Sequence, residues 1–134
     1  MRDRIQQELQ LLKPYYRELE HAESPGEDWF LLPRYPFPSG WQRQGIIIAN
    51  APVAFKINAS YPVGEPYGFL IPTDATFNGL APHNSAQTRP LPFEGNWQQL
   101  SWAPIGWRAG NDAKVGSNLL IWTRSFATRL KEGV

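Results

Sequence analysis

Few side chains in this sequence have the reach of a catalyst or a metal ligand, and their types narrow the chemistry. Cysteine is absent, which excludes a disulfide framework, a thiolate zinc site, an iron–sulfur cluster and a thiol nucleophile. The two histidines are His21 and His83. His83 lies in Pro82-His83-Asn84 and reads as a solvent-facing loop residue, while His21 reads as helix surface with no partner in view. Neither a glycine-rich phosphate loop nor a spaced ligand cluster is present, so no cofactor and no metal are expected. Trp97, Trp102 and Trp107 recur at spacings of five. Such indoles either pin a loop onto a sheet as large apolar anchors or form an exposed recognition surface, as in the aromatic platforms of carbohydrate-binding modules.

The elements that must position these residues belong to one domain spanning 1–134. A chain of 134 residues with 42% hydrophobic and 19% charged side chains builds one packed core without disulfides or metals. Thirteen prolines and eleven glycines imply many turns and few long helices. With a formal net charge of +1 there is no global field to draw in phosphate backbone or anionic lipid, so neither nucleic acid nor membrane is an expected partner. The apolar run Gly45–Ala49 is far shorter than the roughly 20 residues that span a bilayer. The first residues lack a signal-peptide pattern, and a cytoplasmic location is expected.

Charge divides the chain into three: residues 1–34 hold five basic and seven acidic side chains, 35–88 two and two, and 89–134 six and three. The sparsely charged middle is expected to be sheet. Ile5, Leu9, Leu12, Tyr16 and Leu19 line one helical face, which Pro14 should kink or divide, with Ser24-Pro25-Gly26 as the stop. Strands are expected at 29–32, 43–49, 53–59 and 67–71. The run Ile46-Ile47-Ile48 suits a strand covered on both faces or nearly so, and Val53, Phe55, Ile57 and Ala59 alternate with period two. Residues 73–110 read as irregular. Val115, Leu119, Trp122, Phe126 and Leu130 mark a terminal helix, with Asn111 or Asp112 as N-cap and Gly133 past its end. The fold class is therefore α+β: an N-terminal helix, a four-stranded antiparallel meander, a long Trp/Pro-rich loop and a C-terminal helix.

The segment Tyr61-Pro62-Val63-Gly64-Glu65-Pro66 turns the chain rigidly between two strands. It resembles the Tyr-Pro-x-x-x-Pro junction between the third and fourth strands of the ubiquitin-conjugating-enzyme fold. Upstream, Leu32-Pro33-Arg34-Tyr35-Pro36-Phe37-Pro38 through Trp41, the isoleucine run and Phe55-Lys56-Ile57 are similar to the prokaryotic family E of ubiquitin-conjugating-like proteins. Downstream, the segment from Gly95 to Trp102 and then Trp107-Arg108-Ala109-Gly110 is similar to that family's tryptophan-rich loop and its entry into the last helix.

The resemblance implies a bacterial ubiquitin-like modification system. Its expected partners are a ubiquitin-like or multi-ubiquitin-like protein and an adenylating activating enzyme, with a metal-dependent deconjugating peptidase from the same operon. It also implies a thioester on a Cys, with an Asn from a His-Pro-Asn segment stabilising the oxyanion. This chain has no Cys, and Pro82-His83-Asn84 holds those residue types in another order, so the role is not carried onto Asn84. Three readings remain open: a non-catalytic relative that binds a ubiquitin-like protein or its activating enzyme, an oxyester enzyme using Ser101 with His83 as base, and a chain whose native Cys has been replaced. Apart from the resemblance, Ser101 reads as a loop hydroxyl capping a turn. Glu8, Glu18 and Glu20 with Arg4 and Arg17 are the partner surface that the resemblance places on the first helix.

Overall fold

Pro14 ends the first helix because it has no N–H to donate and its ring crowds the carbonyl four residues back. In the computed structural model, which describes residues 2–83, 85–88 and 90–133 with the backbone alone at Gln87, α1 spans Asp3–Leu12. The chain then leaves through turns in which Tyr16 N–H still reaches the Leu12 carbonyl at 2.9 Å. Tyr16 and Leu19 pack on the core from outside the helix. The expected extension of the helix to Leu19 is thus replaced by one helix and a turn.

Among the described residues nine strands follow in order: β1 Glu20–Ser24, β2 Glu27–Pro36, β3 Trp41–Arg43, β4 Ile46–Ile47, β5 Asn50–Asn58, β6 Phe69–Pro72, β7 Ala75–Phe77, β8 Ser85–Gln87 and β9 Trp97–Leu100; α2 spans Leu119–Glu132. The large sheet has the order β1-β2-β5-β6-β9-β8 and a small one the order β4-β3-β7, all pairs antiparallel. The α+β class with a helix near each end holds. The four-stranded meander does not, because β1, β8 and β9 widen the sheet to six and the isoleucine run leaves it.

Three local readings change for identifiable reasons. Ser24-Pro25-Gly26 is no helix stop. It is the turn of the β1–β2 hairpin, closed by Ser24 opposite Glu27, with Gly26 at φ 76° as the position after proline in a type II turn demands. Pro33 does not end β2, since the pairing register shifts between Leu32 and Tyr35 and a proline is tolerated at such a bulge. The expected covered strand at 43–49 is a hairpin instead. Gln44 and Gly45 both take positive φ, as a two-residue hairpin turn requires, and Ile46 and Ile47 stand 70% and 78% exposed.

Packing explains the rest. Phe30 and Leu32, Val53, Phe55 and Ile57, and Phe69 and Ile71 point to one sheet face, against Ile5 and Leu12 of α1 and Leu119, Trp122, Phe126 and Leu130 of α2. Phe126 is the centre of this layer: it stacks on Phe69 at 4.2 Å between centroids and meets Phe55 and Trp122 edge-on. The opposite face carries Leu31, Ala54 and Leu70, which Leu91, Phe93 and Trp97 cover in a second cluster. Burial on both faces is why β2 reads as a continuous apolar run rather than an alternation.

The last helix begins later than its periodicity suggests. Asn118 is the N-cap, its Oδ1 accepting from Ile121 N–H at 2.9 Å, and Val115 lies outside the helix, 60% exposed. Gly133 closes the other end at φ 71°, as expected. A Cβ there would come within 2.5 Å of the Phe77 ring. Truncating the central ring, Phe126→Ala, is expected to cost about 3–5 kcal/mol, whereas Ile47→Thr should change stability by no more than about 0.5 kcal/mol. Urea denaturation of the two variants measures both.

Candidate functional site

The Tyr61–Pro66 segment joins β5 to β6, the third and fourth strands of the large sheet counted from β1. Tyr61 is buried, its peptide bond to Pro62 is cis, Pro66 is buried, and Val63 is exposed at the tip. The Tyr61 hydroxyl donates to Glu8 Oε2. Glu8 is itself fully buried and takes Arg4 Nε on the same oxygen at 3.0 Å. Its Oε1 accepts from the backbone N–H of Leu119 at 3.0 Å. Arg4 completes the network by donating to the carbonyls of Gly110 and Ser117 at 2.9 and 3.2 Å.

This cluster is electrostatically closed. A carboxylate at the start of α2 meets donors that have no partner within the helix and the positive end of the helix dipole. Burial first, and then the charge and hydrogen bond of Glu8, push the Tyr61 phenol well above its usual range. Burial also raises Tyr35 and Tyr16. Arg4 and Glu8 are therefore internal struts, and the partner surface expected on the first helix loses them. Arg17, Glu18 and Glu20 lie beyond α1, where Glu18 pairs with Arg34 at 3.3 Å on the surface.

The loop tryptophans are tied inward. Trp97 is buried in the second cluster. Trp102 is half-buried and donates to Ser125 Oγ at 3.0 Å, and Trp107 donates to the Pro62 carbonyl at 2.9 Å with its ring 5.8 Å from that of Tyr61. Trp107 thus clamps the loop before α2 onto the Tyr61–Pro66 segment.

Ser101 and His83 come to one end of the β8–β9 ladder, since Ser85 pairs with Leu100. Both are exposed. Among the described residues no hydrogen bond joins them. The His83 carbonyl instead accepts from Arg129 Nη2 at 2.6 Å, which ties this loop to α2. Asn84 lies outside the described residues. An acyl acceptor needs nucleophile and base within hydrogen-bond reach and an oxyanion donor opposite, and only the first two residues share even a region.

His21 is placed on β1, not on a helix, with Nε2 2.8 Å from Asp28 Oδ1. Glu23 stands beside them, and these three side chains are the one group among the described residues with metal-ligating atoms this close together. The hairpin that unites them was hidden because its turn reads equally well as a helix stop. Its signal was the Pro25-Gly26 pair flanked by His21 and Glu23 on one side and Asp28 on the other.

Comparison with protein-family models, with curated proteins and with solved structures finds no match to this chain. Among the described residues no helix is long and apolar enough to cross a membrane.

Removing Glu8 strands Arg4 in a buried position, so Glu8→Ala is expected to destabilise the chain by about 3–5 kcal/mol, measurable by thermal or urea unfolding. The raised phenols set an alkaline limit. The folded state keeps its protons where the unfolded chain releases them, so their contribution to stability is intact below about pH 10 and is lost as pH rises beyond it. Denaturant titrations across that range should show a smaller loss in Tyr61→Phe than in the parent.

Proposed function

We propose that this chain is a non-catalytic ubiquitin-conjugating-like protein of a bacterial ubiquitin-like modification system, which binds a ubiquitin-like or multi-ubiquitin-like protein or the enzyme that adenylates it. The observation that carries the reading is the position of Tyr61–Pro66, with Tyr61 buried against the first helix, between the third and fourth strands of an antiparallel sheet. This is where the resembled fold keeps its Tyr-Pro-x-x-x-Pro junction. The helix before the sheet and the helix after it agree with the same plan, although the sheet continues through β9 and β8.

A binding role fits the chemistry better than a carrier role. A thioester needs a thiol, and the chain has no cysteine, while a serine oxyester needs a base that Ser101 does not contact. The tryptophans support loop anchoring: Trp97 is 6% exposed, and the indole N–H groups of Trp102 and Trp107 are engaged within the protein. A sugar platform needs free ring faces instead.

Incubation with a ubiquitin-like protein, its activating enzyme and ATP should give a complex by size exclusion and no adduct on a denaturing gel. A hydroxylamine-sensitive adduct that disappears in Ser101→Ala would make the chain an oxyester enzyme. Saturable glycan-array binding lost in Trp102→Ala or Trp107→Ala would move it to the sugar binders.

A further inference from the structure

The isoleucine run that the sequence marks for a covered strand is uncovered in the folded chain. Ile48 packs against the core, but Ile46 and Ile47 form β4, which pairs with β3 alone and lies at the edge of the small sheet. Consecutive residues of a strand point to opposite faces, and yet these two are 70% and 78% exposed. Strand β4 is therefore bare on both faces as well as along its outer edge.

The backbone of that edge is open too. Arg43 and Ile46 close the two-residue turn, and Ile48 N–H donates to the Trp41 carbonyl at 3.1 Å. Residues 46 and 48 thus turn their polar groups toward β3. By the alternation of an antiparallel ladder, Ile47 turns its N–H and C=O outward. Among the described residues no strand pairs with that edge. Sheet edges are commonly blunted by a charged side chain or a proline, and β1, at an edge of the large sheet, carries Glu20 and Glu23. The segment from Gln44 to Ala51 contains neither a charge nor a proline.

Charge and symmetry select the occupant. A two-fold axis brings the same surface of two copies together, so a segment that meets itself must carry no excess of one sign. With the axis at Ile47, the outward N–H and C=O of that residue meet those of the copy. Ile46 then lies opposite Ile48, and Gly45 opposite Ala49, so no charged side chain is opposed. The nearest charge, Arg43, is already paired with Asp74 at 2.7 Å. We infer that β4 is the seam of a two-fold dimer of this chain, in which residues 46–48 of the two copies pair antiparallel and join the two small sheets into one. The seam buries chiefly Ile46 and Ile47 of each copy, so the interface is small and the dimer is weak. This inference rests on the hairpin and is independent of the proposed function.

Sedimentation equilibrium of the intact chain over a roughly hundredfold range of concentration should show a monomer–dimer equilibrium. Because the axis sets Ile47 against itself, Ile47→Lys and Ile47→Glu should each weaken association roughly tenfold or more, through lost apolar burial and like charges directly opposite. An equimolar mixture of the two variants should recover the dimer, since the seam then pairs opposite charges. At so exposed a position both variants should melt with the dilute parent, which separates loss of pairing from loss of fold. A parent that stays monomeric throughout, association that persists in both variants, or a mixture that fails to recover would overturn the assignment. Flotation with phosphatidylcholine vesicles tests the other occupant: binding by a monomeric parent that is lost in Ile47→Lys would give the hairpin to a lipid surface instead.

Discussion

The buried carboxylate of Glu8 is the constraint on which the arrangement of this protein depends. A charge out of water is costly unless both carboxylate oxygens find donors and a counter-charge lies close by. Glu8 meets that condition with Arg4 from its own helix, the Tyr61 hydroxyl and the first N–H of α2. Helix α1, the β5–β6 junction and the start of α2 are thereby set in one geometry, and Arg4 extends the tie to the loop through Gly110 and Ser117. Apolar packing alone would permit small slides of one helix over the other. A fully satisfied polar network in a low-dielectric interior does not.

Two further layers build on this frame. Phe126 and its aromatic neighbours fill the space between the helices and the inner sheet face, while Leu91, Phe93 and Trp97 bring a proline-rich segment down over the outer face. The long stretch between β6 and α2 is thus short strands and anchored loops, with Trp102 and Trp107 as its fastenings. Exposed side chains at the periphery include the Ile46–Ile47 hairpin, Val63, Tyr67, Ile105 and Ile121, and the ends where Ser101 and His83 lie.

Much of this was legible residue by residue. The alternation of Val53, Phe55 and Ile57, the heptad-like run from Leu119 to Leu130 and Gly133 as a helix stop read correctly, because each expresses a period or a backbone preference within a few residues. The isoleucine run misled because β-branching speaks for a strand without saying which sheet it joins or what covers it. Helix α2 was begun too early because Val115 continues the apolar period by chance, while the cap that decides the start is Asn118. Of the candidate site residues, Tyr61, Pro62 and Pro66 stood out through their own spacing, but neither the burial of Glu8 nor the pairing of His21 with Asp28 had any local signature.

Composition and short-range pattern were enough to establish an α+β class with a helix near each end, no thiol chemistry, and a proline-bounded junction between two strands. They act within one or two turns of chain, where steric preference and periodicity operate. Partnerships across the fold were left to packing: Glu8 meets Tyr61 53 positions away and Leu119 111 positions away. At those separations the choice of partner follows from which faces are brought together when the core closes. The same closure decides which isoleucines face solvent, which tryptophans face inward, and that His21, Glu23 and Asp28 share one face of a hairpin.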